Sequence, residues 1–306
     1  MMKLTCLLIT ILFVSFHSPD KEKPFIVVLG IAQDAGYPQI GCNKECCKKV
    51  YEKKAKKQMV SCIAIVDPAS KQKWIIDATP DFTEQLKLLD SYQAGDLSGI
   101  FLTHAHIGHY TGLMYLGREA MNAGKIPVYA MPRMNDFLQS NGPWSQLVSL
   151  KNIELKKMRG DSIVQLNERI SVQPLLVPHR DEFSETVGFL IKINQRSVLF
   201  LPDIDKWNKW EKDIRNFVNE CDYLLLDGTF YQEGELPGRN MSEIPHPFVQ
   251  ETMQMFEDSE TVNKKKIWFI HFNHTNPLIR GESVESKEVR NKGFNLTKQG
   301  QVFLLN

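Results

Sequence analysis

Apolar positions fall into short runs that stop abruptly at Gly, Asp or His, with polar, turn-rich stretches between them. Residues 25–30, 62–66 and 74–77 read as buried strands, the last two joined by the polar turn 67–71. Residues 30–41 read as a loop punctuated by Gly36, Pro38 and Gly41, and residues 82–89 as a helix. Residues 99–102 form another short apolar run. Beyond it the pattern alternates: helix over 113–123, strand over 128–130, helix over 134–140 and strand over 153–157. Further strands are predicted at 170–177, 187–193 and 198–201, the last two separated by a turn at 194–196, and an apolar run at 267–270 ends in His271. Two families of strands with helices between them predict an α/β fold of two sheets packed face to face, helices outside.

Chemistry gathers where the apolar runs end. Immediately after the run 99–102 stand His104, His106 and His109, three of the chain's eight histidines within six positions. A strand end feeding a helix start makes a tight turn in which imidazoles at i, i+2 and i+5 converge, and neutral imidazole suits zinc and iron. His179, Asp203 and His271 each stand just after an apolar run and are candidates to complete the site, as rigid strands and their loops demand. Asp227, in Leu224-Leu225-Leu226-Asp227-Gly228-Thr229, is a further strand-end carboxylate that competes with Asp203, although its Gly-Thr context reads as a turn.

The stretch Thr103-His104-Ala105-His106-Ile107-Gly108-His109, followed by Tyr110-Thr111-Gly112-Leu113, resembles the His-x-His-x-Asp-His signature of the metallo-β-lactamase superfamily, with Gly108 in place of the Asp. Leu29-Gly30, Ala35-Gly36-Tyr37-Pro38, the cysteines that follow and Asn273-His274-Thr275-Asn276-Pro277 resemble one branch of it, which holds PQQ-biosynthesis protein B and the cyclic phosphodiesterases of the phosphonate pathway. The resemblance implies the αββα sandwich, two mixed sheets with helices on the outer faces, over a domain spanning 24–306. It also implies a metal set of His104, His106, His109, His179, Asp203 and His271, with Asp203 and His271 in catalytic positions. Asp77 is the expected carboxylate behind a metal-bound histidine, or else a turn cap. Because the absent Asp usually holds the second of two metals, the second site is expected to be weaker or differently arranged, and a single-metal centre with Asp203 as general base stays open.

Cys42, Cys46 and Cys47 lie within six residues, and Cys46 and Cys47 can hardly pair with each other. A structural zinc competes here with disulfides or free thiols, since closely spaced thiolates plus one distant histidine make a closed tetrahedral site. The branch has such a zinc in its cysteine-rich loop, with Cys-x-Cys-x-x-Cys spacing that this chain does not keep, and His246 is the expected fourth ligand. His274 is left facing substrate or donating to a ligand.

Composition sets the bounds. A chain of 306 residues with 42% hydrophobic and 24% charged content folds around a sizeable core, and a net charge of +1 gives no general drive toward nucleic acid or acidic membranes. A basic cluster, Lys48, Lys49, Lys53, Lys54, Lys56 and Lys57, reads first as a solvated face. Residues 1–18 are expected to be a signal peptide or N-terminal anchor, hence an exported or anchored protein, with no stable span beyond that segment. The expected function is a metal-dependent hydrolase. It would use zinc-bound hydroxide, from one or two ions, on a small and possibly anionic ester, phosphodiester or lactone, with Arg180 a candidate clamp. An Fe2+-dependent oxygenase of the PQQ-biosynthesis protein B type and a non-catalytic metal-binding protein are the alternatives.

Overall fold

The computed structural model describes residues 23–305, so the expected signal peptide or anchor at 1–18 lies outside the described residues. Among the described residues two seven-stranded sheets form. The first runs β14(Val302–Leu304), β1(Phe25–Gly30), β2(Cys62–Asp67), β3(Gln72–Ile76), β4(Gly99–Phe101), β5(Ile126–Ala130), β6(Ile153–Lys157). The second runs β13(Asn295–Leu296), β12(Ile267–Ile270), β11(Tyr223–Asp227), β10(Arg196–Leu201), β9(Val187–Ile193), β8(Ile170–Leu176), β7(Val164–Gln165). Both sheets repeat one scheme. From β14 to β3, and again from β7 to β10, neighbours are antiparallel; from β3 to β6 and from β10 to β13 they are parallel. This is the expected sandwich of two mixed sheets, and the repeat relates two halves whose sequences show no convincing similarity.

Strand alternation explains the layering. In β1, Ile26 and Val28 join a core that takes in Val172, Phe189 and Phe200 of the other sheet, while Val27 and Leu29 join a separate core with Phe82, Leu89 and Leu138 from the outer helices. Both faces are thus buried, which is why these strands read as continuous apolar runs rather than alternating ones. Phe101 of β4 meets Phe189 of β9 edge to face at 5.6 Å, locking the sheets together below the histidine turn.

One helix differs from expectation. In place of a helix over 113–123 there is a 3-10 helix, Thr111–Leu116, that ends at Gly117. Leu113 and Leu116, both buried and three apart, suit three residues per turn. The six lysines of the basic cluster are exposed, on and just after the helix Glu45–Tyr51, and Lys57 pairs with Asp81 at 2.6 Å. No helix among the described residues is long and apolar enough to cross a membrane.

Candidate metal centre

Apart from His246, which precedes the helix Val249–Met255, each ligand of the rim stands at or just after the carboxyl end of a strand, and the parallel pairing brings those ends together. Leu201 pairs with Leu226 and Asp227 with Ile270, so Asp203, Asp227 and His271 leave adjacent strands at the same level. On the other sheet Ile76 pairs with Phe101, and the Asp77 amide donates to the Phe101 carbonyl at 2.8 Å. The loop after β8 is tied to the same rim by the Asp205 amide, which donates to the Pro178 carbonyl at 2.7 Å.

Asp203 sits at the centre. One carboxylate oxygen lies 3.2 Å from His179 Nε2 and 3.3 Å from His246 Nδ1; the other lies 3.3 Å from His104 Nε2, 3.7 Å from His109 Nε2 and 3.9 Å from His271 Nε2. Three ligand sets share it: His104, His106, His179 and Asp203; Asp34, His109, Asp203 and His271; Asp203, Asp227 and His246. Within each set the ligand atoms are all within 4.8 Å of one another.

Two buried carboxylates aim the imidazoles. Asp77 Oδ2 takes Nδ1–H of His109 at 2.7 Å, and Thr103 Oγ1 donates to Asp77 at 3.0 Å while lying 3.0 Å from His104 Nδ1. The second half repeats the device. Asp227 Oδ2 takes Nδ1–H of His246 at 2.8 Å, and Thr229 Oγ1 donates to Asp227 Oδ1 at 2.7 Å while lying 2.9 Å from His271 Nδ1. Each threonine oxygen, having given its proton to a carboxylate, accepts Nδ1–H from the histidine, and that leaves Nε2 of His104 and His271 as a bare lone pair facing Asp203. Asp77 and His271 hold φ of +72° and +67°, a left-handed conformation that costs a non-glycine residue free energy and marks sites held for a purpose.

The chemistry of the set fits a divalent cation. His104 Nε2, both ring nitrogens of His179, His271 Nε2 and Asp203 Oδ1 are buried with no hydrogen-bond partner, and buried polar atoms left in that state are costly unless a cation takes them up. Burial holds His104 well below the usual imidazole range and His179 down at about 4, so both are neutral ligands. Burial would raise Asp203 and Asp34, but the imidazoles around them hold both well below the carboxylate range. Burial likewise opposes the charged form of His246, yet Asp227 and Asp203 outweigh it and lift the imidazole to about 9.

The structure brings His104, His106, His109, His179, Asp203 and His271 together. His246 is corrected: it sits beside Asp203 and Asp227, not in the cysteine cluster. The residue that joins Cys42, Cys46 and Cys47 is His274, which follows β12 and whose Nδ1 is buried without a partner. The thiols of Cys42 and Cys46 lie 3.7 Å apart, and burial pushes Cys47 up to about 12, an environment that a bound cation would reverse. One member of the centre escaped sequence reasoning as a ligand candidate, and a second was ranked behind Asp203. Asp34 comes from the loop after β1, 75 positions before His109, and nothing local marks it; Asp227 was discounted for its Gly-Thr context, which is in fact the source of the Thr229 relay.

Comparison with known proteins agrees with this architecture. The beta-lactamase superfamily domain matches residues 73–272. Coenzyme PQQ synthesis protein B of Nitrosococcus oceani is 24% identical over 316 residues, covering 92% of this chain and 99% of that one. Zn(2+)-bound PqqB from Methylobacterium extorquens superposes with a TM-score of 0.78 at 20% identity, over 92% of this chain and all of that one. A diphosphatase of the PhnP family superposes with a TM-score of 0.65 at 18% identity, over 92% and 96% of the two chains. A rim of histidines and a shared aspartate on two stacked sheets defines a metallo-hydrolase-type fold. The chain belongs to the metallo-β-lactamase superfamily, in the branch of coenzyme PQQ synthesis protein B. These relatives, named for the synthesis of a coenzyme, overturn the reading of residues 1–18 as the signal peptide of a secreted protein.

Proposed function

We propose that the protein is a metal-dependent hydrolase of a small anionic ester, phosphodiester or lactone, with zinc at the rim. The observation that carries this reading is the convergence of buried, partnerless Nε2 atoms of His104, His179 and His271 on the single carboxylate of Asp203. His104, His106 and His179 would hold one ion, and Asp203 would join it to the ligands around His109 and His271. A divalent cation held there supplies Lewis acidity and lowers the pKa of water bound to it toward neutrality.

The chain's own residues do the rest. Asp203, kept ionised by the imidazoles around it, would place its negative charge between the ligand sets of the rim. Asp227 fixes the His246 ring by its hydrogen bond to Nδ1. Arg180, exposed at the open side with Nη2 3.4 Å from His106 Nε2, offers a planar donor fork to an anionic group entering there. Ile107 and Phe183, both exposed on the segments that carry His106 and Glu182, give the mouth an apolar edge.

A second reading is favoured by the near end-to-end match to coenzyme PQQ synthesis protein B: an iron-dependent oxygenase. The test assays the purified chain, loaded with Zn2+ or Fe2+, against bis(p-nitrophenyl) phosphate, p-nitrophenyl acetate and a γ-lactone, with oxygen consumption recorded in parallel. Hydrolysis abolished by a chelator and restored by Zn2+ is expected; oxygen uptake with Fe2+ and no hydrolysis overturns the proposal in favour of the second reading.

A further inference from the structure

Gly108 is buried in the short helix Ile107–Tyr110 that carries His109. A Cβ built there would lie 2.4 Å from the Cα of Asp34, 2.5 Å from its Oδ1 and 2.9 Å from its Cβ. The space that a side chain at 108 would take is therefore filled by the backbone and carboxylate of Asp34, on the loop that follows β1 at the same rim. That carboxylate reaches His109 Nε2 at 3.1 Å and His271 Nε2 at 3.8 Å, and it closes a four-residue set with Asp203.

The loop carrying Asp34 is pinned where the centre needs it. The Gln33 amide donates to the Phe272 carbonyl at 2.9 Å, and the Gly36 amide to the Gln33 carbonyl at 2.8 Å. Asn273 Nδ2 also donates to Gln33 Oε1, tying the loop to the strand end of His271. The Ala32 backbone bridges to Val60 on one side and Phe272 on the other. Without Asp34 the half-site at His109 and His271 has two imidazoles and one shared carboxylate; with it, two carboxylates and two imidazoles surround one point, a donor set suited to Zn2+, Mn2+ or Fe2+.

We infer that Asp34 is the fourth ligand of a second divalent cation, so that the centre holds two ions, and that Gly108 is glycine because Asp34 occupies its side-chain space. The inference rests on the metal-centre reading and deepens it. A side chain at 108 would displace the Asp34 backbone as well as its carboxylate, so glycine at 108 is what admits the Asp34 loop to the half-site.

The test counts ions per chain by mass spectrometry after dialysis against Zn2+, and follows the visible spectrum after Co2+ substitution. Asp34→Asn, which keeps size and shape, should lose one ion per chain relative to wild type, with the second Co2+ bound at least a hundredfold more weakly. Gly108→Asp alone should also lose that ion and melt at lower temperature. An unchanged count in Asp34→Asn overturns the inference and leaves the hydrolase reading standing. A wild-type chain whose ion count is unaffected by His104→Ala and His271→Ala overturns the metal-centre reading itself.

Discussion

Asp77 and His109 are joined by a 2.7 Å hydrogen bond from Nδ1 to Oδ2, both side chains fully buried, and the same carboxylate accepts the Thr103 amide at 2.8 Å. The bond fixes the tautomer that turns Nε2 of His109 toward Asp34 and Asp203. Replacing Asp77 by Asn would present an amide N–H to Nδ1, which then has to accept, and the ring proton moves to the face meant for metal. Partners of this kind are worth about 10–100-fold in metal affinity. Competition of Asp77→Asn with a chromogenic chelator should show a loss in that range for the ion on the His109 side; unchanged affinity would reduce Asp77 to a turn cap.

Gly112 lets the histidine turn dock on the strand end that carries Asp77. A Cβ there would meet the Thr79 carbonyl at 2.2 Å and Phe82 Cβ at 2.7 Å, the first of them backbone that cannot swing away. Gly112→Ala should cost about 1–3 kcal/mol as an overpacking substitution, measured by denaturant unfolding. It should also weaken metal binding, since the Ala78 amide donates to the His109 carbonyl at 2.9 Å across the same contact.

Two separable metal pools are expected. His274→Ala and the triple replacement of Cys42, Cys46 and Cys47 by Ser should each release one ion while sparing those at the histidine rim, whereas His246→Ala should leave the cysteine pool intact. With free zinc at about a thousand times its Kd, losing a site removes about 4 kcal/mol of stability. Calorimetry with and without added zinc would read this as a metal-dependent melting shift present in wild type and absent from the cysteine variant.

Glu235 carries a pH signature outside the histidine rim, hydrogen-bonded to the residue that follows His274. It accepts hydrogen bonds from Thr275 Oγ1 at 2.6 Å and the Tyr231 amide at 2.7 Å, but burial dominates and pushes its carboxyl up to about 6 from an ordinary 4.5. A carboxyl raised on folding takes up a proton in the native state, so it costs nothing below about 4.5, erodes stability as pH rises from 4.5 to 6, and leaves a constant penalty above. The shift corresponds to about 2 kcal/mol at pH 7. Stability of Glu235→Gln minus wild type should therefore climb by about 1–2 kcal/mol between pH 4.5 and 6; a flat difference would contradict the assignment.

Much of this was legible along the chain. Strands buried on both faces announce themselves as apolar runs, and a histidine or aspartate closing such a run is conspicuous, so His104, His106, His109, His179, Asp203 and His271 could be nominated before any fold was known. Where two histidines compete for one distant role, spacing gives no ranking. His246 follows a turn-rich segment and His274 an apolar run, and only the path of the chain after β12 sends His274 to Cys42, Cys46 and Cys47 and leaves His246 beside Asp227. A loop ligand such as Asp34 is illegible for the same reason: its partner lies 75 residues away, and the only trace at the partner's end is a missing side chain at Gly108.

The sequence by itself determined the two families of strands, the rim of imidazoles and a chemistry suited to divalent metal, because burial period and ligand type are local properties of residues. Tertiary structure alone decided which carboxylate faces which histidine, the paired Asp77–Thr103 and Asp227–Thr229 relays, and the exchange of space between Gly108 and Asp34. Those depend on the distance between strand ends far apart along the chain, and that distance is set by sheet order and register.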